Sequence, residues 1–197
     1  TPFDPLKINV PDKFQAPSLT HLMGTDNLRR DVFSRIIAGS RIALTVGIST
    51  IAIALVLGMT LGLIAGYGPR WLDNFLMLLF DSIYSFPTVI LGLTVVTLLG
   101  ASVTTLMLVV IVVQTPAYAR LTRTATLTIR NSEYIQAIES LGASKFRIIV
   151  AHLLPNVVGP LLIVASMDIP SVVTLEAGLT YLGMGIPPPA PSWGRTL

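Results

Sequence analysis

The chain has 197 residues, of which 52% are hydrophobic and 12% are charged, and its formal net charge is +3. The charged share is roughly half that of a soluble domain. Because the chain contains runs of 20 or more uncharged residues, the composition indicates an integral membrane protein built from helices. The small net charge gives no sign of nucleic-acid binding, and the lack of cysteine excludes disulfides and thiolate metal sites.

Residues 1–42 are predicted to lie outside the bilayer. The stretch up to Leu28 is polar and contains several prolines. From Asp31 onwards, apolar side chains alternate with Arg35 and Arg41, which predicts an amphipathic helix on the membrane surface. An ordinary helix packed on a soluble partner would show the same spacing.

Residues 43–197 are predicted to contain four membrane spans. The first, 43–67, has no charge and is long enough to cross the bilayer with some tilt. Gly58, Gly62 and Gly66 recur at every fourth position within it, a spacing that permits close packing against another helix. Gly68 and Pro69 are expected to end this span.

The remaining spans are less regular. The 37 uncharged residues 83–119 are too many for one span and slightly too few for two, so the second span is expected to begin near Leu72 and to turn at residues 100–102. Pro87 and Pro116 are expected to kink the two helices. The fourth span, 157–179, is expected to be interrupted by Pro160 and Pro170, and the following PPPAPSWG segment to form an ordered loop anchored by Trp193.

A polar stretch, residues 133–156, separates the third and fourth spans. It predicts a short helix capped by Asn131 or Ser132, a corner at Gly142, a second helix capped by Ser144, and a break at Pro155. Tyr134, Ile138 and Leu141, with Ala137 between them, give the first helix one apolar face. A simple surface hairpin is the alternative interpretation.

Three acids, Asp81, Asp168 and Glu176, fall within the predicted spans. They either line a substrate or proton path, or pair with arginines and cap helix ends near prolines; we favour pairing because each lies near a proline. No catalytic or metal-binding constellation can be identified. A phosphate-binding G-x-x-x-x-G-K-[ST] sequence is absent, and the only histidines, His21 and His152, lie on either side of the first three predicted spans. The chain is therefore expected not to be an enzyme.

The segment Gln136-Ala137-Ile138, followed by Gly142 and by His152-Leu-Leu-Pro155, resembles the EAA loop of ABC-importer permeases, E-A-A-x₃-G-x₉-I-x-L-P. The spacing matches throughout, and the residues depart at Gln136, Ile138 and His152. Three segments resemble one branch of these proteins, the second permease subunit of dipeptide, oligopeptide and nickel importers. They are 24–35, where Arg29 replaces the usual glycine, 134–156, and 176–185 leading into the Pro189–Gly194 loop.

The resemblance implies an all-α helix bundle of the type I importer class. Its cytoplasmic EAA loop, about 131–156, would contact the ATPases through Tyr134, Gln136, Ala137, Glu139, Ser140, Gly142, Ala143 and Ser144. It also implies a location in a bacterial or archaeal plasma membrane. Such subunits have one further span at each end, so the chain is expected to be about two-thirds of a subunit.

The resemblance implies several partners. They are a homologous permease subunit forming a heterodimer, two ATPase subunits that hold ATP and Mg²⁺, an extracytoplasmic solute-binding protein, and membrane lipid, whereas the chain itself would bind no cofactor. The solute would be a peptide, nickel, a glutathione-like peptide or an opine. A proton-coupled secondary transporter using the three acids and a purely structural subunit remain as alternatives.

Orientation cannot be read from charge. The predicted outer side holds seven lysines and arginines and the other side six, so the positive-inside rule does not decide. The resemblance places residues 68–72 and the EAA loop in the cytoplasm, with residues 1–42 and the PAPSWG loop outside.

Overall fold

A computed structural model describes residues 1–7, 13–183 and 185–196. Its helices are α1 (Val32–Tyr67), α2 (Arg70–Tyr84), α3 (Thr88–Leu99), α4 (Val103–Arg130), α5 (Glu133–Ser140), α6 (Lys145–Ile148), a π-helical turn (Ile149–Leu153), α7 (Leu154–Tyr181) and α8 (Trp193–Thr196). The predicted all-α fold class is confirmed. Residues 8–12 of the predicted outer segment, and Met184 and Leu197 near the predicted loop, lie outside the described residues.

Three helical stretches are long and apolar enough to cross a membrane: Val32–Tyr67, Val103–Arg130 and Lys145–Tyr181. The pair α2 and α3 also qualifies together, but it is bent by 87° at the break before Thr88. Pro87 explains the break, because the residue before a proline disfavours helical geometry. The four predicted spans are therefore matched if the bent pair counts as one.

The predicted surface helix is not a separate element. Residues 32–42 form the first turns of α1, which runs without interruption to Tyr67. The expected boundary between residues 42 and 43 thus falls inside a helix, since no glycine or proline separates Arg41 from the apolar run. The end of the span agrees with the sequence, because α1 stops where Gly68 and Pro69 begin.

The prolines inside the later spans do not interrupt them. Pro116 lies within α4, and Pro160 and Pro170 lie within α7, both of which are continuous helices of 28 residues. The break predicted at Pro155 is also absent, since the chain stays helical from Lys145 to Tyr181. The π-helical turn directly precedes this proline; such a turn accommodates a proline that lacks an N–H and crowds the preceding turn.

The chain divides into two compact units. One comprises residues 1–49, 89–108 and 170–197, and the other residues 50–88 and 109–169. In the second unit the predicted glycine contact is confirmed. A Cβ on Gly58 would lie 2.5 Å from the Tyr118 Cβ, and one on Gly62 would lie 2.4 Å from the Ala119 carbonyl oxygen, so only glycine allows α1 and α4 this close.

In the first unit the predicted anchor is confirmed. The Trp193 indole N–H donates to the Ile36 carbonyl at 3.1 Å, which fixes the C-terminal loop to the start of α1. A Cβ on Gly194 would lie 2.0 Å from the Ala177 carbonyl oxygen, so the loop backbone also packs directly on α7. The proline-rich segment is therefore held at two points.

Candidate functional site: the α5–α6 corner and the intramembrane acids

The polar stretch folds as a helix, a tight corner and a second helix. α5 ends in a Schellman motif: the Gly142 N–H donates to the Glu139 carbonyl at 2.9 Å, and the Ala143 N–H to the Ile138 carbonyl at 3.3 Å. Gly142 has φ +85°, as the sequence predicts for the corner. Ser144 then caps α6 by accepting from the Arg147 N–H at 3.4 Å. Ser132 occupies the predicted N-cap of α5, but its hydroxyl donates to the Ile129 carbonyl instead of accepting from the helix.

The predicted apolar face of α5 is covered only in part. Ile135 is fully buried in a cluster with Ile148 and Leu153, and Ile138 packs against the edge of that cluster. Tyr134 and Leu141 on the predicted apolar face are 45% and 87% exposed. The periodicity identified a helix with apolar residues on two sides, and only contact with the next turn decides which side is covered.

An aromatic and ionic cluster ties α5 to the ends of two spans. The Tyr67 hydroxyl donates to a Glu139 carboxylate oxygen at 3.0 Å. The Arg130 guanidinium lies 4.9 Å above the Tyr67 ring and donates to the Gly66 carbonyl at 3.3 Å. The last residues of α1 and α4 thus hold α5 in place. Sequence analysis missed Tyr67 and Arg130, and only their position at span ends opposite the polar stretch could have suggested them.

The segment after the corner adds a second aromatic contact. The Tyr134 and His152 rings meet edge to face with centroids 5.5 Å apart. The Asn156 side-chain amide donates to the His152 backbone carbonyl at 2.6 Å, so this carbonyl of the π-helical turn has a hydrogen-bond partner. His152 is therefore a packing residue of this corner.

Most of the residues expected to contact a partner lie on the open side of the corner. Ala143 is partly buried, and the others are exposed: Tyr134, Gln136, Ala137, Glu139, Ser140, Gly142 and Ser144. Beside them, Leu141 and Phe146 are 87% and 77% exposed. Two large apolar side chains so open to solvent on a segment fixed from behind form a surface suited to another protein.

The intramembrane acids each have a partner. Asp81 forms an ion pair with Arg120, whose guanidinium also lies 4.8 Å from the centroid of the Tyr84 ring. Asp168 accepts a hydrogen bond from the Tyr118 hydroxyl at 2.8 Å. These contacts agree with the pairing interpretation, although the role of the acids stays a prediction.

A further ion pair was missed from the sequence. Asp73 in the first turn of α2 accepts two hydrogen bonds from the Arg123 guanidinium, the second at 2.6 Å. Because 50 residues separate the two charges and neither belongs to a motif, this pair could not be predicted from the sequence. The bidentate geometry fixes α2 against α4.

Glu176 has a different environment. It is 1% exposed, and one carboxylate oxygen accepts from the Thr180 hydroxyl at 2.9 Å and from the Ser192 hydroxyl at 3.1 Å. The acid therefore joins α7 to the loop that carries Trp193. Its other oxygen is buried without a hydrogen-bond partner among the described residues.

Comparison with known proteins identifies the family of the chain. Residues 58–197 match a family described as the inner membrane component of binding-protein-dependent transport systems. The chain belongs to this family. The matched range contains the α5–α6 corner, all three intramembrane acids and the tryptophan loop. As a member of the family, the chain is a multi-pass protein of the inner membrane, and the family predicted from the EAA-like spacing is confirmed.

Individual relatives agree with this family assignment. The dipeptide transport system permease protein DppC of Alkalihalophilus pseudofirmus is 37% identical over 189 residues, which cover 96% of this chain and 62% of the relative. The glutathione transport system permease protein GsiD of Pectobacterium atrosepticum is 38% identical over 183 residues, covering 93% of the chain and 61% of the relative. A di/tripeptide transport system permease protein DppC of Pseudomonas aeruginosa is 35% identical, with 67% of its length covered.

The chain thus spans about three-fifths of the length of the first two relatives. The family consists of transport membrane components, in line with the expected lack of an enzymatic role. Neither the family nor these relatives support the proton-coupled secondary transporter considered from the sequence.

Proposed function

We propose that the chain is a permease subunit of an ATP-driven importer and that the α5–α6 corner transmits the action of separate ATPase subunits to the spans. The observation that carries this proposal is that one short segment is anchored to the spans and also exposes large apolar side chains to solvent. Burial of Ile135 and the Tyr67–Glu139 hydrogen bond fix the segment to the spans, while Leu141 and Phe146 are open to solvent. A segment anchored to the spans and free to be pushed can move them as a rigid body.

The solute we infer is a peptide of two or three residues, including glutathione. The relatives named above are described as transporting dipeptides, glutathione and di- or tripeptides. The three acids each bond to another residue of the chain, so we assign them a structural role and place the solute path elsewhere.

The assembly we propose has the composition expected from the resemblance. A homologous permease subunit completes the path, two ATPase subunits bind ATP and Mg²⁺ and dock on the corner, and a soluble binding protein delivers the solute from outside. In this arrangement the corner and residues 68–72 face the cytoplasm. Residues 1–31, the start of α1 and the tryptophan loop face outward.

Replacement of an exposed leucine tests this function. In the full-length subunit co-expressed with its partners, Leu141→Asp should reduce ATPase co-purification about 5- to 30-fold, because a charge replaces an apolar interface side chain. Leu19→Asp is the matched control, since Leu19 is 99% exposed on the proposed outer side. ATPase retention and peptide uptake at wild-type levels in Leu141→Asp, or an equal loss in both variants, would contradict the proposal.

A further inference from the structure

A small cavity opens in the first unit between the segment before α1 and the tryptophan loop. Its volume is about 260 Å³, and its walls include Asn27 and Leu28 on one side and Pro188–Ala190 on the other. The charged residues that line it are Arg30, Arg35 and Arg195. None of the lining residues is acidic, which makes the cavity distinctly cationic.

The positive charge is only partly neutralised. Asp26, behind the cavity wall, accepts from the Arg30 side chain at 2.8 Å and lies 3.7 Å from the Arg35 guanidinium. Burial alone would raise the pKa of Asp26, but hydrogen bonds from Arg30 and Leu28 outweigh burial and lower it, so the carboxylate is ionised. Three guanidinium charges against one carboxylate leave an excess of two positive charges.

The arrangement is built into the fold and not a chance meeting of surface side chains. The side chain of Arg35 is 4% exposed and that of Arg30 is 14% exposed. Arg30 and Arg195 both repel Arg35 electrostatically. A buried cation held near two others is unfavourable unless an anion is close by.

Donors remain available for such an anion. Among the described residues, the Arg35 guanidinium has one hydrogen bond, to the Pro5 carbonyl at 3.2 Å, although a guanidinium has several N–H groups. The Arg195 side chain is exposed and forms no ion pair or side-chain hydrogen bond within the described part of the chain. Among the described residues, Arg195 therefore lines the cavity with an exposed guanidinium that has no partner, and Arg35 is the buried cation of the lining.

We propose that this cavity receives the carboxylate of an aspartate or glutamate side chain from the solute-binding protein when it docks on the outer face. Guanidinium groups match carboxylates in shape and charge, and arginine is enriched at protein interfaces. At about 260 Å³ the cavity is smaller than typical sites for whole small molecules, which favours one acidic side chain over an entire solute. Exposed Leu28, which lines the cavity, supplies apolar contact area.

This inference rests on the proposed function, and binding measurements separate the two. In the complete transporter in nanodiscs, Arg195→Glu should weaken binding of the purified binding protein about tenfold, because it reverses a charge at the contact, while Arg195→Lys should stay within about threefold of wild type. Arg29→Glu makes the same charge change at an exposed residue of the same segment that does not line the cavity, and it should leave affinity nearly unchanged. Equal affinities for Arg195→Glu and wild type would overturn the inference. Failure of the wild-type transporter to bind any binding protein would instead overturn the proposed function.

Cross-linking identifies the carboxylate directly. A carbodiimide joins an amine and a carboxylate only when they touch, so the docked Arg195→Lys transporter should yield a permease–binding protein conjugate at one aspartate or glutamate. Arg29→Lys is the control and should yield none. Conjugation of Lys at position 195 to the transported peptide or to Asp26, or no conjugate, would overturn the proposal.

Discussion

Replacing Gly142 by valine isolates the contribution of the corner. Nothing lies within 4 Å of a Cβ placed on Gly142, so a side chain there meets no neighbour and acts only through the backbone. At φ +85° a β-branched residue costs about 1–3 kcal/mol. The two hydrogen bonds of the Schellman motif contribute about 0.5–1.5 kcal/mol each. The strain energy of valine at this position is therefore comparable to the combined stabilisation that these two hydrogen bonds provide.

The short helix cannot absorb this loss. α5 has eight residues, fewer than the roughly 12–15 that an isolated helix needs, and Ile135 is its fully buried side chain. A loss of about 2 kcal/mol would shift the local equilibrium about 30-fold toward a displaced α5. Gly142→Val should therefore speed amide hydrogen exchange in residues 133–143 and weaken ATPase co-purification, with α4 exchange unchanged.

Gly142→Asn is the matched control, because asparagine tolerates a positive φ far better than valine does. Asparagine should retain nearly normal exchange and ATPase binding. If valine and asparagine give the same exchange rates and the same ATPase retention, backbone strain at the corner is irrelevant and the reasoning fails.

Three further predictions concern other parts of the chain. The chain has no native cysteine, so single cysteines can be introduced and labelled with an impermeant maleimide. A cysteine at Leu19 should be labelled from outside, and one at Lys145 only from the cytoplasm. The reverse pattern would refute the proposed orientation. Glu176→Gln should lower the melting temperature of the complex, because an amide N–H₂ would replace the buried oxygen that lacks a partner. Burying this donor without an acceptor should cost about 1–3 kcal/mol of folding free energy. The pH profile of substrate-stimulated ATPase should not move, and a shifted profile with normal stability would favour a proton path. Burial would raise the pKa of Asp31, but hydrogen bonds from His21 and Ser34 lower it below the ordinary 3.8. Its carboxylate therefore stabilises the fold above about pH 4, and this contribution is lost as the pH falls through the lower folded value. Asp31→Asn should flatten the acid side of a stability profile below about pH 4, and an unchanged slope there would contradict this.

Features that depend on local chain chemistry could be predicted from the sequence. Gly142 needed a left-handed backbone, Gly68 and Pro69 ended α1, and Trp193 anchored its loop, since each follows from one residue and its near neighbours. The spacing of the three glycines likewise required a close helix, although not which helix.

Features that depend on tertiary contacts could not be predicted. The buried side of α5 follows from Ile148 and Leu153 in the next turn, not from its own periodicity. Pro155 failed to break the helix because the π-helical turn before it accommodates the ring. Tyr67 could not be linked to Glu139, since 72 residues separate them and Tyr67 belongs to no motif.

The glycine contact between α1 and α4 has a mechanical consequence. Gly58, Gly62 and Gly66 put backbone against backbone, so few flexible side chains remain between the helices to change rotamer and absorb a displacement. Thr122 and Thr126 fill the remaining space with buried hydroxyls. Within this unit the two helices form a rigidly packed pair, and Tyr67 and Arg130 attach the corner to its end. Under the proposed function, a force applied to the corner would be transmitted along these two helices instead of being absorbed by side-chain repacking.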